Sequence, residues 1–512
     1  MYGPVLIAGE RSRSGAHIVL SMGAVMVTLG LLTALQEGLI DEVQAYIGFA
    51  VTIVGFNFWQ TLMAYEEDGW LVVINPAVAA TLLGSLLTFG IGNLVWILPD
   101  DIFRLVPGAI DIDYWTNYYL TLWALASVGL WIGYRSRVAG NVTASVRGSR
   151  VLRRWLRQTG SLRMSVALMF VVLSLLCRLL LIALGSYGYG SGEAELEASY
   201  AYLQVLVMGA DAGKLALVAI ALDYFSKSGD RTGRLLPLAM VVAYEVFFGL
   251  LSGFKSQVVM PVLVVGIVAL VVTRRIPLRL ILGAVCMLVF AFSLIEPFRA
   301  LHTEYAAPIR DVTELADTVL SARSEVGAFE EDRFSFEAGL AAFLGSRLAT
   351  GTFAAGLRYA AENPTLPDDA PRFLRDIFLG PIFAIVPRAI WPEKPQAGHG
   401  VWYGREVLGF GEFSRTSVGM SPITYLNFAG GALAVFGGFM VYGCVQRALF
   451  HGFISFGIGG MVVFLGLWEV IRGADSIYYT FVIGLLRLIP ILIVAQYLLY
   501  RPRRLQRPGH TP

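Results

Sequence analysis

Two cationic side chains lie within a proline-rich segment, VPRAIWPEKP, at residues 386–395. Arg388 and Lys394 suit phosphate oxygens, and a guanidinium binds such oxygens bidentately while it stays charged beside a bilayer. The prolines restrict the backbone, and Trp391 is typical of residues anchored at a membrane surface. This pattern predicts a phosphate-binding segment in which Arg388 is catalytic and Lys394 holds the ligand.

Other cations of the chain extend the set that would bind a diphosphate or a glycan. Lys255 lies in the sequence LSGFKSQ at the end of an apolar segment, where a lysine reaches both the membrane interface and a cavity. Pairing with nearby surface glutamates is the competing interpretation for each arginine of this set. The arginines are Arg299, Arg347, Arg405 and Arg415.

Groups that accept a proton follow the proline-rich segment. His399, Glu406 and Glu412 are the candidates for a general base, and His399 titrates nearest neutrality. We expect His399 and Glu412 to be catalytic, and Tyr403 to stack against a sugar face. A solvated or capping histidine is the alternative for His399. The sequence has no HExxH motif and no clustered Cys and His, so neither a metal nor a cofactor is predicted.

The composition indicates whether these residues are surrounded by water or by a lipid bilayer. Of the 512 residues, 56% are hydrophobic and 15% are charged, whereas soluble domains are about 45–50% apolar and about 25% charged. The chain is therefore expected to be an all-α, polytopic integral membrane protein. Its net charge of +2 arises from scattered arginines, which excludes a basic nucleic-acid-binding domain.

Apolar segments predict about twelve transmembrane helices, since about 20 apolar residues span a bilayer. One long loop, residues 299–421, separates nine helices in residues 1–298 from three helices and a basic tail in residues 422–512. The predicted spans are 17–35, 46–64, 70–97, 115–134, 164–186, 200–226, 235–253, 257–273, 280–298, 423–444, 452–471 and 476–500.

The charges of the loops predict the orientation. Residues 135–163 contain eight arginines and no acidic residue, which places them in the cytoplasm by the positive-inside rule. Both termini are then cytoplasmic, and the long loop lies outside. Within that loop, 312–329 and 336–364 have the spacing of amphipathic helices. Residues 377–391 are apolar but interrupted by prolines, which favours a re-entrant segment.

Several charged residues fall inside apolar segments, where an unpaired charge costs about 2.5–3.5 kcal/mol. Two explanations are open. Either they pair, or their basic members line a cavity that holds an anionic group. The pairs would be Asp211 with Lys214, Glu469 with Arg472, and Arg178 with Asp211 or Glu245.

The proline-rich segment, the polar glycine-rich stretch from His399 and the Asn-Phe pair with glycines that opens the next span together resemble bacterial Wzy-type O-antigen polymerases. The GFKSQ sequence is similar to a small-basic-small pattern of that family of oligosaccharide repeat-unit polymerases. The motifs cover roughly residues 249–438, and the hydropathy pattern extends the likeness over the whole chain.

The resemblance implies a GT-C-like membrane enzyme in the bacterial inner membrane. It implies inverting transfer of a growing glycan from undecaprenyl diphosphate to the next lipid-linked repeat unit, on the periplasmic face and without a metal. The implied partners are the undecaprenyl-diphosphate-linked oligosaccharide, membrane lipids, a chain-length regulator and a flippase, but no nucleic acid. An O-antigen ligase-like transferase, a lipid-linked oligosaccharide transporter or flippase, and a structural scaffold are the alternatives.

Overall fold

The computed structural model describes residues 14–97, 112–156, 160–188, 200–226, 232–301, 309–327, 350–367, 370–386, 391, 399–410, 418–471 and 478–500. In this part of the chain nearly every residue is helical and no strand is formed, which confirms the all-α class. Two compact units are present.

Most helices begin or end within a few residues of the apolar segments in the sequence. In chain order they are α1 (Ser14–Gln36), α2 (Glu42–Asp68), α3 (Pro76–Val78), α4 (Tyr114–Arg135), α5 (Arg137–Gly148), α6 (Arg150–Leu156), α7 (Met164–Ala183), α8 (Tyr200–Ala210), α9 (Ala212–Ser226), α10 (Thr232–Leu251), α11 (Lys255–Thr273), α12 (Leu278–Leu301), α13 (Val312–Gly327), α14 (Thr350–Glu362), α15 (Phe373–Ile385), α16 (His399–Trp402), α17 (Pro422–Ile454), α18 (Ile458–Ile471) and α19 (Tyr478–Leu499). Short 3₁₀ and π turns extend α3 to Ile97 and α16 to Val407.

The first unit comprises Met1–Val142, Val326–Ala448 and Trp468–Arg487. The second comprises Thr143–Glu325, Leu449–Leu467 and Leu488–Pro512. In the second unit, α10, α11 and α12 pack in succession, and α7 and α11 both contact α9. Ile182, Phe248 and Phe298 form part of its core, against which α13 packs through Leu315 and Val319.

Eight helices of the described chain are long and apolar enough to cross a membrane. The other four predicted spans coincide with α4, α12, α18 and α19, and in the last three the described apolar stretches are 10–17 residues long. For α18, the structure describes 14 residues, Ile458–Ile471, and residues 472–477 lie outside the described residues. For α4 the reason is composition, because its first turns are rich in Tyr, Trp, Thr and Asn.

The loop helices agree in part with the sequence. The predicted helix at 312–329 is present as α13, and the end of the one at 336–364 is present as α14. Residues 328–349 lie outside the described residues. Within the predicted re-entrant segment at 377–391, α15 is a continuous helix up to Ile385 despite Pro381, and residues 387–390 lie outside the described residues.

Glycines let α4 and α17 approach each other closely in the first unit. A Cβ atom on Gly133 would overlap the backbone carbonyl of Met440, and one on Gly443 would overlap that of Leu130. Gly129, one turn before Gly133, faces the carbonyl of Phe436. Small residues four apart allow helix backbones to pack tightly within a bilayer, where no hydrophobic effect drives them together.

The Gly133→Ala variant is expected to lower the free energy of unfolding by about 1–3 kcal/mol, because its methyl group forces two backbones apart. Thermal unfolding of the full-length protein in detergent measures this. Gly437→Ala is the matched control, since nothing lies within 4 Å of a Cβ atom there. If both variants unfolded at the wild-type temperature, the proposed close packing would be wrong.

Candidate functional site

A cavity of about 550 Å³ opens in the first unit between α4, α14 and α17. Cavities of this size commonly bind small ligands. Its wall combines aromatic rings, amide side chains and backbone. The lining residues are Tyr114, Trp115, Tyr118, Leu357, Ala360, Ala361, Asn363, Pro364, Leu366, Asn427, Phe428, Gly430 and Gly431.

The aromatic side of the cavity is the first turn of α4. Asp113 begins this helix, because its carboxylate accepts a hydrogen bond of 2.7 Å from the backbone N–H of Thr116. Tyr114 and Tyr118 lie parallel, with ring centroids 6.4 Å apart, and Trp115 stands edge-on to both. All three rings are half-buried. They form a fixed surface that suits the flat, apolar face of a ring-shaped ligand.

The opposite side of the cavity is a break in α17. Gly430 and Gly431 depart from helical geometry, and the φ of +67° at Gly431 is one that residues with a side chain rarely adopt. The break exposes backbone groups that a continuous helix would pair internally. Asn427, half-buried one turn earlier, has a side-chain amide that makes no hydrogen bond to the described residues. Donors and acceptors thus face the aromatic side.

Tyr403 supports α14 and does not itself line the cavity. Its side chain is fully buried, and its hydroxyl donates a 2.6 Å hydrogen bond to the carbonyl of Thr352. Burial raises the pKa of Tyr403, which keeps this hydroxyl a donor. Thr424 donates similarly to the carbonyl of Phe353, so that two bonds fix the start of α14. The predicted stacking residue therefore positions one wall.

His399 is paired with a carboxylate that the sequence did not single out. Its Nε2 lies 2.9 Å from Oδ2 of Asp376, and only 1% of its side chain is exposed. Arg375 holds the other oxygen of Asp376 at 2.9 Å. The imidazole packs beside Phe373 and Tyr425, and Phe373 stacks on Phe428 of the cavity wall.

His399 thus lies one layer behind the cavity. The pair of His399 and Asp376 joins α15 to α16. It contacts the cavity wall indirectly, because His399 packs on Phe373 and Phe373 stacks on Phe428. The assignment of His399 as a general base stays a prediction.

Two predicted ligand-binding cations lie at one end of the second unit. Nε of Arg299 donates a 2.9 Å hydrogen bond to the carbonyl of Gly253, and its guanidinium lies 5.6 Å from the centre of the Phe254 ring. Lys255 follows directly as the first residue of α11 and is half-buried. Both positive charges therefore lie beside one short loop, and their role in ligand binding stays a prediction.

The second unit also contains two pairs of charged residues that fall inside apolar segments of the sequence. Arg178 of α7 and Glu245 of α10 form a salt bridge of 2.7 Å, and their side chains are 5% and 2% exposed. The guanidinium lies over the rings of Tyr244 and Phe248. Asp211 and Lys214 pair at 3.0 Å but are about half and a third exposed. The pairing explanation is confirmed for these four residues, whereas the Glu469 side chain and Arg472 lie outside the described part of the chain.

The remaining predicted site residues lie outside the described residues, except for Arg405. Arg405 is half-buried in the π turn that follows α16. Among the residues that the structure describes, no three His, Cys, Asp or Glu side chains meet as a metal site would require. The predicted residues outside the description are Arg347, Arg388, Lys394, Glu412 and Arg415.

Sequence reasoning missed the aromatic side of the cavity and Asp376. A signal for the first was present, because residues 113–119 read DYWTNYY and place four aromatic side chains at the start of a predicted span. Aromatic residues at a helix end are ordinarily anchors at the membrane interface, which hid this second use. Nothing local marks Asp376 as the partner of His399.

A family model described as a domain of unknown function (DUF8712) matches residues 179–501. No curated protein and no solved structure matches. The matched range includes Asp376, His399 and the break at Gly430 and Gly431, whereas the aromatic residues of α4 precede it.

Proposed function

We propose that this chain, which belongs to the DUF8712 family of unknown function, is a membrane-embedded glycosyltransferase that polymerises lipid-linked oligosaccharides. The observation that carries the proposal is the cavity, in which aromatic rings face amide groups and open backbone. Asn427, Phe428, Gly430 and Gly431 line it, and they belong to the motifs that resemble the oligosaccharide repeat-unit polymerases.

Sugars are recognised by this combination of groups. The apolar face of a pyranose ring stacks on aromatic side chains such as Trp115 and Tyr118. Its hydroxyl groups need hydrogen-bond partners when they leave water, and the amides of Asn363 and Asn427 provide both donors and acceptors. A diphosphate would instead be held by cations, of which Lys255 and Arg299 are the described candidates.

The proposed reaction is a displacement at the anomeric carbon of the donor. A hydroxyl oxygen of the acceptor repeat unit forms the new glycosidic bond, while the bond between that carbon and the diphosphate oxygen breaks. The hydroxyl proton passes to a base, for which His399 and Glu412 are the candidates, and undecaprenyl diphosphate leaves. Cations that bind the diphosphate stabilise the negative charge that develops on it. No metal is part of this proposal.

The proposed setting is the inner membrane of a bacterium, with twelve spans and both termini in the cytoplasm. The cavity then opens on the periplasmic side, since α4 enters the membrane at Tyr114 and ends at Arg135, where the arginine-rich segment begins. A GT-C-like architecture, a chain-length regulator and a flippase belong to the same proposal.

The experiment is extension of a purified lipid-linked repeat unit by the purified protein in detergent, read as a ladder by gel electrophoresis or mass spectrometry. A ladder of products that differ by one repeat unit supports the proposal. Transfer to lipid A core without any ladder would assign the protein to the ligase-like alternative. If neither reaction occurred with several repeat units tested, the transferase proposal would be wrong.

The second candidate is a transporter of lipid-linked oligosaccharides, and the broken helix favours it. Transporters commonly bind substrate at discontinuous helices and carry ionisable residues near the middle of the membrane. Gly430 and Gly431 in α17 and the Arg178–Glu245 pair are features of these kinds. Movement of a fluorescent lipid-linked glycan across proteoliposomes, with no lengthening, would establish this function in place of polymerisation.

A further inference from the structure

One surface of the second unit mixes exposed arginines with exposed apolar side chains. On α6, Val151 is 67% exposed and Trp155 is 36% exposed. These residues are four apart and therefore share one stripe of the helix. Arg150 and Arg154, also exposed, form the adjacent stripe, and Arg153 is exposed as well. A stripe of charge thus runs beside a stripe of apolar surface.

This surface is held in place by the rest of the unit. Leu156 on the inner side of α6 is fully buried, and the Trp155 ring lies 4.9 Å from that of Tyr497 near the end of α19. Shortly after α6, the backbone N–H of Arg163 donates to the carbonyl of Leu499. The exposed residues of α6 are therefore displayed from a fixed helix at the end of a transmembrane segment.

A second segment of the same unit repeats the pattern. Between α11 and α12, Arg274, Arg275 and Arg279 are exposed. Ile276 is 57% exposed and Leu278 is 71% exposed between them. In the predicted twelve-span topology, this segment and α6 lie on the same side of the membrane, because each connects a helix that runs into the cytoplasm to one that runs out of it.

The charge of the two segments is not neutralised within the described chain. Residues 135–163 and 274–295 contain no acidic residue. None of the exposed arginines of α6 or of the 274–279 segment forms an ion pair with a described residue. A surface of this charge attracts anions, and its apolar side chains require a partner that also removes them from water.

We infer that each of these two segments binds anionic phospholipids of the cytoplasmic leaflet. The guanidinium groups bind the lipid phosphates bidentately. Val151, Trp155, Ile276 and Leu278 enter the boundary between headgroups and acyl chains, as the apolar faces of interfacial helices do. An acidic protein or a nucleic acid would match the charge alone, whereas an anionic lipid matches both the charge and the apolar stripe.

The test is binding of phosphatidylglycerol or phosphatidylcholine to the full-length protein in detergent, followed by native mass spectrometry. The wild type is expected to bind phosphatidylglycerol at least about tenfold more tightly than phosphatidylcholine, because several surface arginines attract the anionic headgroup together. The triple variant R150Q/R153Q/R154Q is expected to lose most of this preference, and so is R274Q/R275Q/R279Q.

The control variant also removes three exposed arginines, but these lie on or directly before helices of the long loop. The triple variant R310Q/R358Q/R372Q is expected to keep the wild-type preference for phosphatidylglycerol. Equal binding of the two lipids by the wild type would overturn the inference, and so would an equal loss in the control variant. Because two separate segments are changed, failure of one variant to fold leaves the other as a test.

Discussion

Replacement of Trp115 by alanine is expected to slow elongation of a lipid-linked repeat unit by about thirtyfold or more. Trp115 stands edge-on to Tyr114 and Tyr118 on the aromatic side of the cavity, where it would stack on a sugar ring of the glycan. Truncating a tryptophan that anchors a ligand commonly costs about 2 kcal/mol or more. Since 1.4 kcal/mol is a factor of ten, this corresponds to the stated loss.

Trp59→Ala is the matched control, because Trp59 lies on α2 of the same unit and is 47% exposed. It removes the same side chain from outside the cavity, so we expect wild-type elongation. Initial rates at several concentrations of the repeat unit separate binding from chemistry, and a stacking role predicts a raised KM. Wild-type rates in a folded Trp115→Ala variant would remove the cavity from the proposed site.

Breaking the Arg178–Glu245 pair is expected to have the largest effect on stability. Replacing Glu245 alone by leucine leaves a buried guanidinium without its carboxylate, which costs about 3–5 kcal/mol. Replacing both residues by leucine is expected to restore most of that loss, because neither charge then remains buried. Thermal unfolding in detergent of the two single variants and the double variant measures the coupling.

The control for these variants is an ion pair at the protein surface. Arg358 and Glu362 on α14 form an ion pair at 2.9 Å, and their side chains are 60% and 57% exposed. Arg358→Gln is therefore expected to leave the unfolding temperature unchanged. If the Glu245→Leu variant were as stable as the wild type, the buried pair would not contribute to the stability of the protein.

The helices were predictable because their signal is local. An apolar run of about 20 residues must satisfy its backbone internally, so hydropathy alone predicted helices such as α7 and α11. The pairing of Asp211 with Lys214 was predictable for the same reason, since residues three apart on a helix are neighbours. Arg178 had two acidic candidates in the sequence, and packing selects Glu245.

The cavity could not be predicted from local patterns. Its sides are provided by Tyr114, Asn363 and Asn427, which are far apart in sequence, so no single window of residues contains it. The break at Gly430 and Gly431 was hidden because a hydropathy pattern records the apolar character of a segment and not its backbone angles. The GLWIG sequence at 129–133 did contain the spacing of a close helix contact, but its partner lies on α17.

The break in α17 divides this helix into parts with different constraints. The longer part, after Gly431, is held against α4 by glycine contacts that tolerate little change. The short part, from Pro422 to Ala429, carries Asn427 and Phe428 at the cavity and is joined to the rest only by two glycines. Substitutions in the short part can therefore alter which ligands fit without disturbing membrane packing.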